Sequence, residues 1–465
     1  WFRDELYYIE AGKHLAGGYV DFPLGVAVLA DVQRWLFGPS LTAIHVFSPI
    51  AGALIIVLTG LMAREMDGGL AAQRIAGLSA LVAPAFIGAD ALLTMDAFDE
   101  LWWTLAAFVL IRLLRLRQRA GEDASTARLW LLFGLVCGVG LLTKLTMLSF
   151  GLAVVVGLMA SLARAEFRRP WPWIGGIIAL LALVPYAIWN AQHGWPTLTF
   201  WQNYSHGEDT PTFLIQVVLL MQPLALPLWV AGLVYLLRNP DARPYRPLGW
   251  AFLFLAALFL AGHAKSYFLV PAFPALLAAG GIVVERRMTR RPRLHLGTIA
   301  AVALIVGGAA LAPVVAPILP ARTFAKIMPN PIQPVADRFG WPQFVGTVTR
   351  VDRALPPDER QSATILAGNY GEASALDLLG KGLPPVISPH NTYYFWTAGT
   401  VPRGTVIATD FDRSYLLQYF RSVRKVASVP SEYGIQNEEV GRAVWVCRGL
   451  KVPWATAWRE LRNFS

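Results

Sequence analysis

The sequence predicts an α-helical polytopic membrane protein with about ten transmembrane helices, interfacial helices ahead of them and a small α/β domain at the C-terminal end. Three observations predict it. Long apolar runs recur between about residue 40 and 317. Only 15% of the 465 residues are charged, against roughly a quarter in soluble domains, and mean hydropathy is +0.47. The links between the runs alternate between Arg-rich and nearly Arg-free.

Residues 1–40 are expected to form a first loop at the membrane surface. Leu6, Ile9 and Leu15, then Leu24, Val28, Val32 and Leu36, recur at near-helical spacing. No run there is long enough to cross a bilayer, so two short interfacial helices are expected, broken at Gly17-Gly18 and Pro23. The transmembrane region is expected over 41–319. Its ten candidate spans are 41–63, 71–89, 97–114, 129–143, 145–163, 172–190, 213–237, 248–262, 267–284 and 296–317. From 320 to 465 Asp, Glu, Asn, Gly and Pro become frequent and apolar runs shorten to strand length, as in Ala363-Thr-Ile-Leu-Ala, Val406-Ile-Ala-Thr and Arg442-Ala-Val-Trp-Val-Cys. With a helical stretch at 413–423 this reads as a small α/β domain outside the membrane.

The net charge of +10 does not imply nucleic acid, because the Arg residues sit in short links between apolar segments. Cys137 lies in an apolar run and Cys447 in the polar C-terminal part, so no disulfide framework is expected.

Link charge sets the topology. Arg64 and Arg74, Arg115, Arg117, Arg119 and Arg128, Arg164, Arg168 and Arg169, Arg238, Arg243 and Arg246, and Arg286 to Arg293 mark one face, expected to be cytoplasmic. The links at 90–96, at Lys144, at 191–212 and at 263–266 mark the other. That outer face then gathers Asp4, Glu5, Asp90, Asp96, Asp99, Lys144, His193 and Lys265 from distant parts of the chain. Ionisable groups at membrane depth are costly and are functional candidates by default.

Each also has a plainer explanation. Asp4 and Glu5 could simply mark a helix entry, and Asp96 could cap the helix from Ala97. Asp99, at i+3 from Asp96, could be packing glue. Lys144 and Lys265 could be snorkelling lysines, and His193 a turn residue. Gly138 and Gly140 fit close helix packing better than a nucleotide loop.

Taken together, the set fits group transfer from an anionic lipid. A carboxylate can act as general base on an acceptor hydroxyl or amine. Lysines can offset the charge of a phosphate leaving group. A second carboxylate could orient the acceptor or bind a divalent metal cation. The alternative is a polytopic transporter or flippase of a lipid-linked intermediate. It needs charges or broken helices near mid-membrane, often in two related halves, whereas these charges sit at one face and the sequence holds no internal repeat.

Several stretches resemble a known superfamily: Arg3-Asp-Glu-Leu-Tyr-Tyr, Gly18-Tyr-Val-Asp-Phe-Pro-Leu, Ala63-Arg-Glu-Met-Asp-Gly-Gly, Thr94-Met-Asp-Ala-Phe-Asp-Glu-Leu-Trp-Trp-Thr, Gly138-Val-Gly-Leu-Leu-Thr-Lys, Trp189-Asn-Ala-Gln-His-Gly-Trp-Pro, Lys265-Ser-Tyr-Phe-Leu-Val-Pro and Asn369-Tyr-Gly-Glu-Ala-Ser. In this order they resemble the GT-C glycosyltransferases. More narrowly, they are similar to the bacterial branch of the protein O-mannosyltransferase and aminoarabinose-transferase superfamily, glycosyltransferase family 39.

The resemblance implies a multi-pass enzyme of the bacterial inner membrane with its active face periplasmic. Such an enzyme moves a sugar, with inversion, from a polyprenyl-phosphate donor to a glycolipid, protein or cell-envelope glycan. It implies Asp4 as base with Glu5 beside it, and Asp96 as the acid of the second outer loop. Lys144 would contact donor phosphate, and Lys265 and Tyr267 match a late Lys-x-Tyr motif given the same role. Asp99 and His193 would serve the acceptor or the structure. Family members open with a transmembrane helix, so such a segment is expected ahead of Trp1. The aminoarabinose branch carries a Lys-Pro where this chain reads Phe22-Pro23, so that phosphate contact is not expected here.

Overall fold

The computed structural model describes residues 1–120, 124–204 and 207–465; residues 121–123 and 205–206, which fall within two of the links above, lie outside it. Two helices precede the bundle, Arg3–Lys13 (α1) and Gly25–Phe37 (α2). The turn between them closes where the Tyr19 N–H donates to the Phe22 carbonyl at 3.0 Å. α1 is buried from Glu5 to Gly12. α2 buries Val26, Ala27, Ala30 and Gln33 and leaves Trp35, Leu36 and Phe37 exposed, the one-sided apolar face of an interfacial helix.

The bundle follows: Phe47–Glu65 (α3), Leu70–Leu81 (α4), Pro84–Asp90 (α5), Met95–Ala120 (α6), Ala124–Thr143 (α7), Met147–Met159 (α8), Pro170–Leu181 (α9), Val184–Gln192 (α10), Thr210–Leu220 (α11), Leu226–Arg238 (α12), Arg246–Ala261 (α13), Phe273–Arg290 (α14) and Leu296–Val315 (α15). Among the described residues six helical segments are long and apolar enough to cross a membrane, or nine when three bent pairs are each taken as one span. These nine correspond to nine of the ten expected spans. The tenth, α6, has 26 residues and runs from Asp96 at one end of the bundle to Arg115 at the other, but every 18-residue stretch of it carries at least three charged side chains.

One bent pair turns by 110° between α8 and the segment Leu162–Arg168; the other two turn by 60° between α4 and α5 and by 86° between α11 and the segment from Pro223. Proline opens the second helix in these last two, where it lacks the N–H that a continuous helix needs. At the Pro223 break the Gln222 amide N–H donates to the Leu304 carbonyl at 2.7 Å, while the buried Oε1 of the same side chain is left without a donor. Small residues let helices close in. Gly232 on α12 faces the Leu276 carbonyl of α14, and Gly280 on α14 faces the Leu228 carbonyl, where any Cβ would collide.

The two sets of links separate. At one end Arg115 pairs with Glu65 and Asp67, Arg117 with Glu166, and Arg286 with Asp241, while Glu285 accepts from the backbone at Gly69, Ala71 and Ala72. α1, the 90–96 link, the Lys144 turn and the 263–268 segment meet at the other.

The C-terminal unit contains Trp341–Arg353 (α16), Thr364–Ala367 (β1), Tyr370–Leu379 (α17), Val386–Ile387 (β2), Val406–Thr409 (β3), Arg413–Tyr419 (α18), Phe420–Ser428 (β4), Ala443–Leu450 (β5) and Trp454–Leu461 (α19). The expected helix at 413–423 stops at Tyr419. From Phe420 only Phe420 and Val423 are buried, and Arg421, Arg424 and Lys425 are exposed, as befits a strand at the edge of the sheet. The strand order is β2-β1-β3-β5-β4, with β2, β1 and β3 parallel and β5 antiparallel to both β3 and β4.

β1 and β3 are buried on both faces, as parallel strands between helices are. Ile365, Ala367 and Ile407 point into a core shared with α16 and α17, and Leu366, Val406 and Ala408 into a second core with α18 and α19. The first core runs on into α1, which lies between α2 and α17.

Candidate active site

α1 sets two adjacent carboxylates in different surroundings. Glu5 is fully buried. Its Oε2 accepts from the Phe2 N–H at 2.7 Å; its Oε1 accepts from the Leu93 N–H at 2.9 Å and lies 2.5 Å from His45 Nε2. It closes the first turn of α1 and ties it to the 90–96 link. Asp4 is half-buried, and its Oδ1 accepts from the Tyr370 hydroxyl at 2.8 Å. Burial pushes the Asp4 carboxyl up from its ordinary value. The Tyr370 hydrogen bond and the charges of Arg3 and Lys265 hold it down, and the charge of Asp96 adds to the rise. Asp96 and Lys265 are thus close enough to Asp4 for their charges to act on it.

Asp96, Lys144, Asp99 and Lys265 gather at the same end of the bundle as Asp4. Asp96 sits at the start of α6 and accepts from Lys144 Nζ. Lys144 follows the last residue of α7, is buried, and lies 4.9 Å from the Tyr267 ring centre and 4.8 Å from that of Phe268. One turn below Asp96, Asp99 accepts from the Thr146 hydroxyl at 2.7 Å and so holds the turn that carries Lys144. Lys265 lies over the Tyr204 ring at 5.1 Å. Its segment is pinned by Glu208, which accepts from the Ser266 N–H at 3.1 Å and its hydroxyl at 3.3 Å.

His193 stands apart. Its ring stacks on Trp189 at 4.3 Å and meets Phe395 edge-on, with Nδ1 2.7 Å from the Trp189 carbonyl. Among the described residues no group of three His, Cys, Asp or Glu side chains is arranged to hold a metal ion.

Sequence reasoning gave Tyr370 no role, although Asn369-Tyr-Gly-Glu was singled out. The Asn369 side chain caps α17 by accepting from the Glu372 N–H at 2.9 Å, which aims Tyr370 at α1. Arg3, beside Asp4, was also passed over. It pairs with Asp337, Glu438 and Glu439 of the C-terminal unit.

Residues 21–189 match the family model described as dolichyl-phosphate-mannose-protein mannosyltransferase. The apo structure of ArnT from Cupriavidus metallidurans superposes with a TM-score of 0.65 at 15% identity, covering 99% of this chain and 94% of that one. The chain has the GT-C glycosyltransferase fold. The same ArnT bound to undecaprenyl phosphate gives 0.62 at 16% identity, over 96% of this chain and 92% of the other. The oligosaccharyltransferase of Archaeoglobus fulgidus tethered to an acceptor peptide gives 0.56 at 13% identity; 87% of this chain is covered and 65% of that one. No curated protein sequence matches significantly.

Proposed function

We propose that this GT-C chain is a membrane glycosyltransferase that moves a sugar from a polyprenyl-phosphate donor to an acceptor hydroxyl or amine. The acceptor is carried by a glycolipid, protein or cell-envelope glycan at the periplasmic face of a bacterial inner membrane. The observation that carries this reading is the meeting of Asp4 with Asp96, Lys144, Lys265 and Tyr267 at one end of the bundle. Solved structures of this fold include one bound to undecaprenyl phosphate, which supports a lipid-linked donor.

Asp4 takes the acceptor proton as the acceptor oxygen or nitrogen attacks the sugar C1 from the face opposite the phosphate. The C1–O bond to phosphate breaks, its electron pair leaves with the polyprenyl phosphate, and the configuration at C1 inverts. Lys144 and Lys265 offset the charge that grows on the phosphate, and the Tyr267 hydroxyl donates to it. Asp96 holds Lys144 in place and faces the acceptor. Glu5, satisfied by backbone donors, positions α1. Charges at one end of the bundle suit a transfer site better than a mid-membrane transport path.

Purified protein given a polyprenyl-phosphate sugar and acceptor should release polyprenyl phosphate. Asp4→Asn should slow release by roughly 10²–10⁴-fold, the usual share of a general base. Wild-type rates in that variant would sink the assignment of the base.

A further inference from the structure

We infer that Tyr370, carried by the C-terminal unit, is a positioning residue for Asp4, so that the active site is completed only when α17 is docked on α1. This rests on the proposed transferase function and extends it to a residue 366 positions away in sequence.

The geometry is restrictive. The Tyr370 ring is sandwiched between Tyr7, at 4.4 Å and 23°, and His390, at 5.1 Å and 21°. Its backbone N–H donates to His390 Nδ1 at 3.2 Å. Tyr7 is itself fixed, since its hydroxyl donates to Asp21 at 3.1 Å and accepts from the Thr392 N–H at 3.1 Å. Gly371 lets the Arg3 stem lie directly on α17, where a Cβ would meet it. The hydroxyl therefore reaches Asp4 in a locked rotamer. It occupies Oδ1 and leaves Oδ2 to receive the acceptor proton.

The chemistry needs such a donor. A general base must be ionised before it acts. Burial and the nearby Asp96 both favour a protonated Asp4. A phenol with an ordinary pKa of about 10 stays protonated at working pH and donates, which favours the carboxylate. Removing that donor raises the Asp4 pKa. The acid limb of the rate profile then moves to higher pH, and the loss is largest at low pH.

Tyr370→Phe tests this, because the ring stays in its sandwich and only the hydroxyl goes. The expected result is an acid limb of kcat displaced upward by about one pH unit, a KM for the polyprenyl-phosphate sugar within about twofold of wild type, and an unchanged melting temperature. Two results would overturn the inference: an unshifted acid limb, or a rate lowered by the same factor at every pH. The function itself is tested separately in the same assay. If wild-type protein releases no polyprenyl phosphate, or Asp4→Asn turns over normally, that reading fails first. If both behave as proposed and Tyr370→Phe keeps the wild-type profile, only the role of Tyr370 falls.

Discussion

At the residue scale, adjacent acids differ by what surrounds them. Asp4 and Glu5 were legible as a pair, but the sequence could not divide their roles. The division depends on donors that are distant in the chain: Leu93 and His45 on Glu5, Tyr370 on Asp4. Glu5→Ala would strand two backbone N–H groups, each costing about 1–3 kcal/mol when left unmet in the interior. It should lower the melting temperature together with activity, and Glu5→Gln should recover part of both. A Glu5→Ala protein with wild-type stability and no turnover would instead make Glu5 a reacting group.

Lys144 contrasts with Glu5. Its partners are one carboxylate and two ring faces, so it can turn to a phosphate. A charge-assisted bond worth about 1.5–3 kcal/mol predicts that Lys144→Ala weakens binding of polyprenyl phosphate by roughly 10–100-fold. Calorimetry or tryptophan quenching measures this, and unaltered affinity would make Lys144 purely structural.

At the element scale, apolar length was readable and helix breaks were not. The spans at 71–89 and 213–237 read as single runs, yet both fold at a proline by 60° and 86°. Hydropathy averages over such breaks, because proline is itself tolerated in apolar stretches. α6 departs in the opposite sense: it runs the length of the bundle, yet its charges, which lower its apolarity, include Asp96 and Asp99 at the site. The sheet was partly visible. β1, β3 and β5 announce themselves as apolar runs, whereas β4 exposes Arg421, Arg424 and Lys425 and follows a helical stretch without a break. Nothing local marks where one period gives way to the other; pairing with β5 decides it.

At the scale of the whole molecule, the sequence separated a membrane part from a C-terminal part but not the joint between them. To the apolar core that α1 shares with α17, that joint adds polar contacts made by single residues, and such pairings have no periodicity to betray them. His390, stacked on Tyr370, is one of its titratable groups, beside Asp4 and Asp337. Burial first, and the charge of Arg3 after it, lower the His390 pKa from 6.5 to about 4; a hydrogen bond to the Ser465 carbonyl opposes them. The neutral ring is required, because Nδ1 accepts the Tyr370 N–H. A histidine with a depressed folded-state pKa contributes stability above its unfolded value, and that stability is lost as pH falls from 6.5 toward 4. The loss is about 2 kcal/mol by pH 5. His390→Asn keeps an acceptor near the Nδ1 position and cannot titrate there. Between pH 7 and pH 5 the wild-type melting temperature should therefore fall further than that of His390→Asn. Parallel curves for the two proteins would show that the joint between α1 and α17 is not what acid loosens.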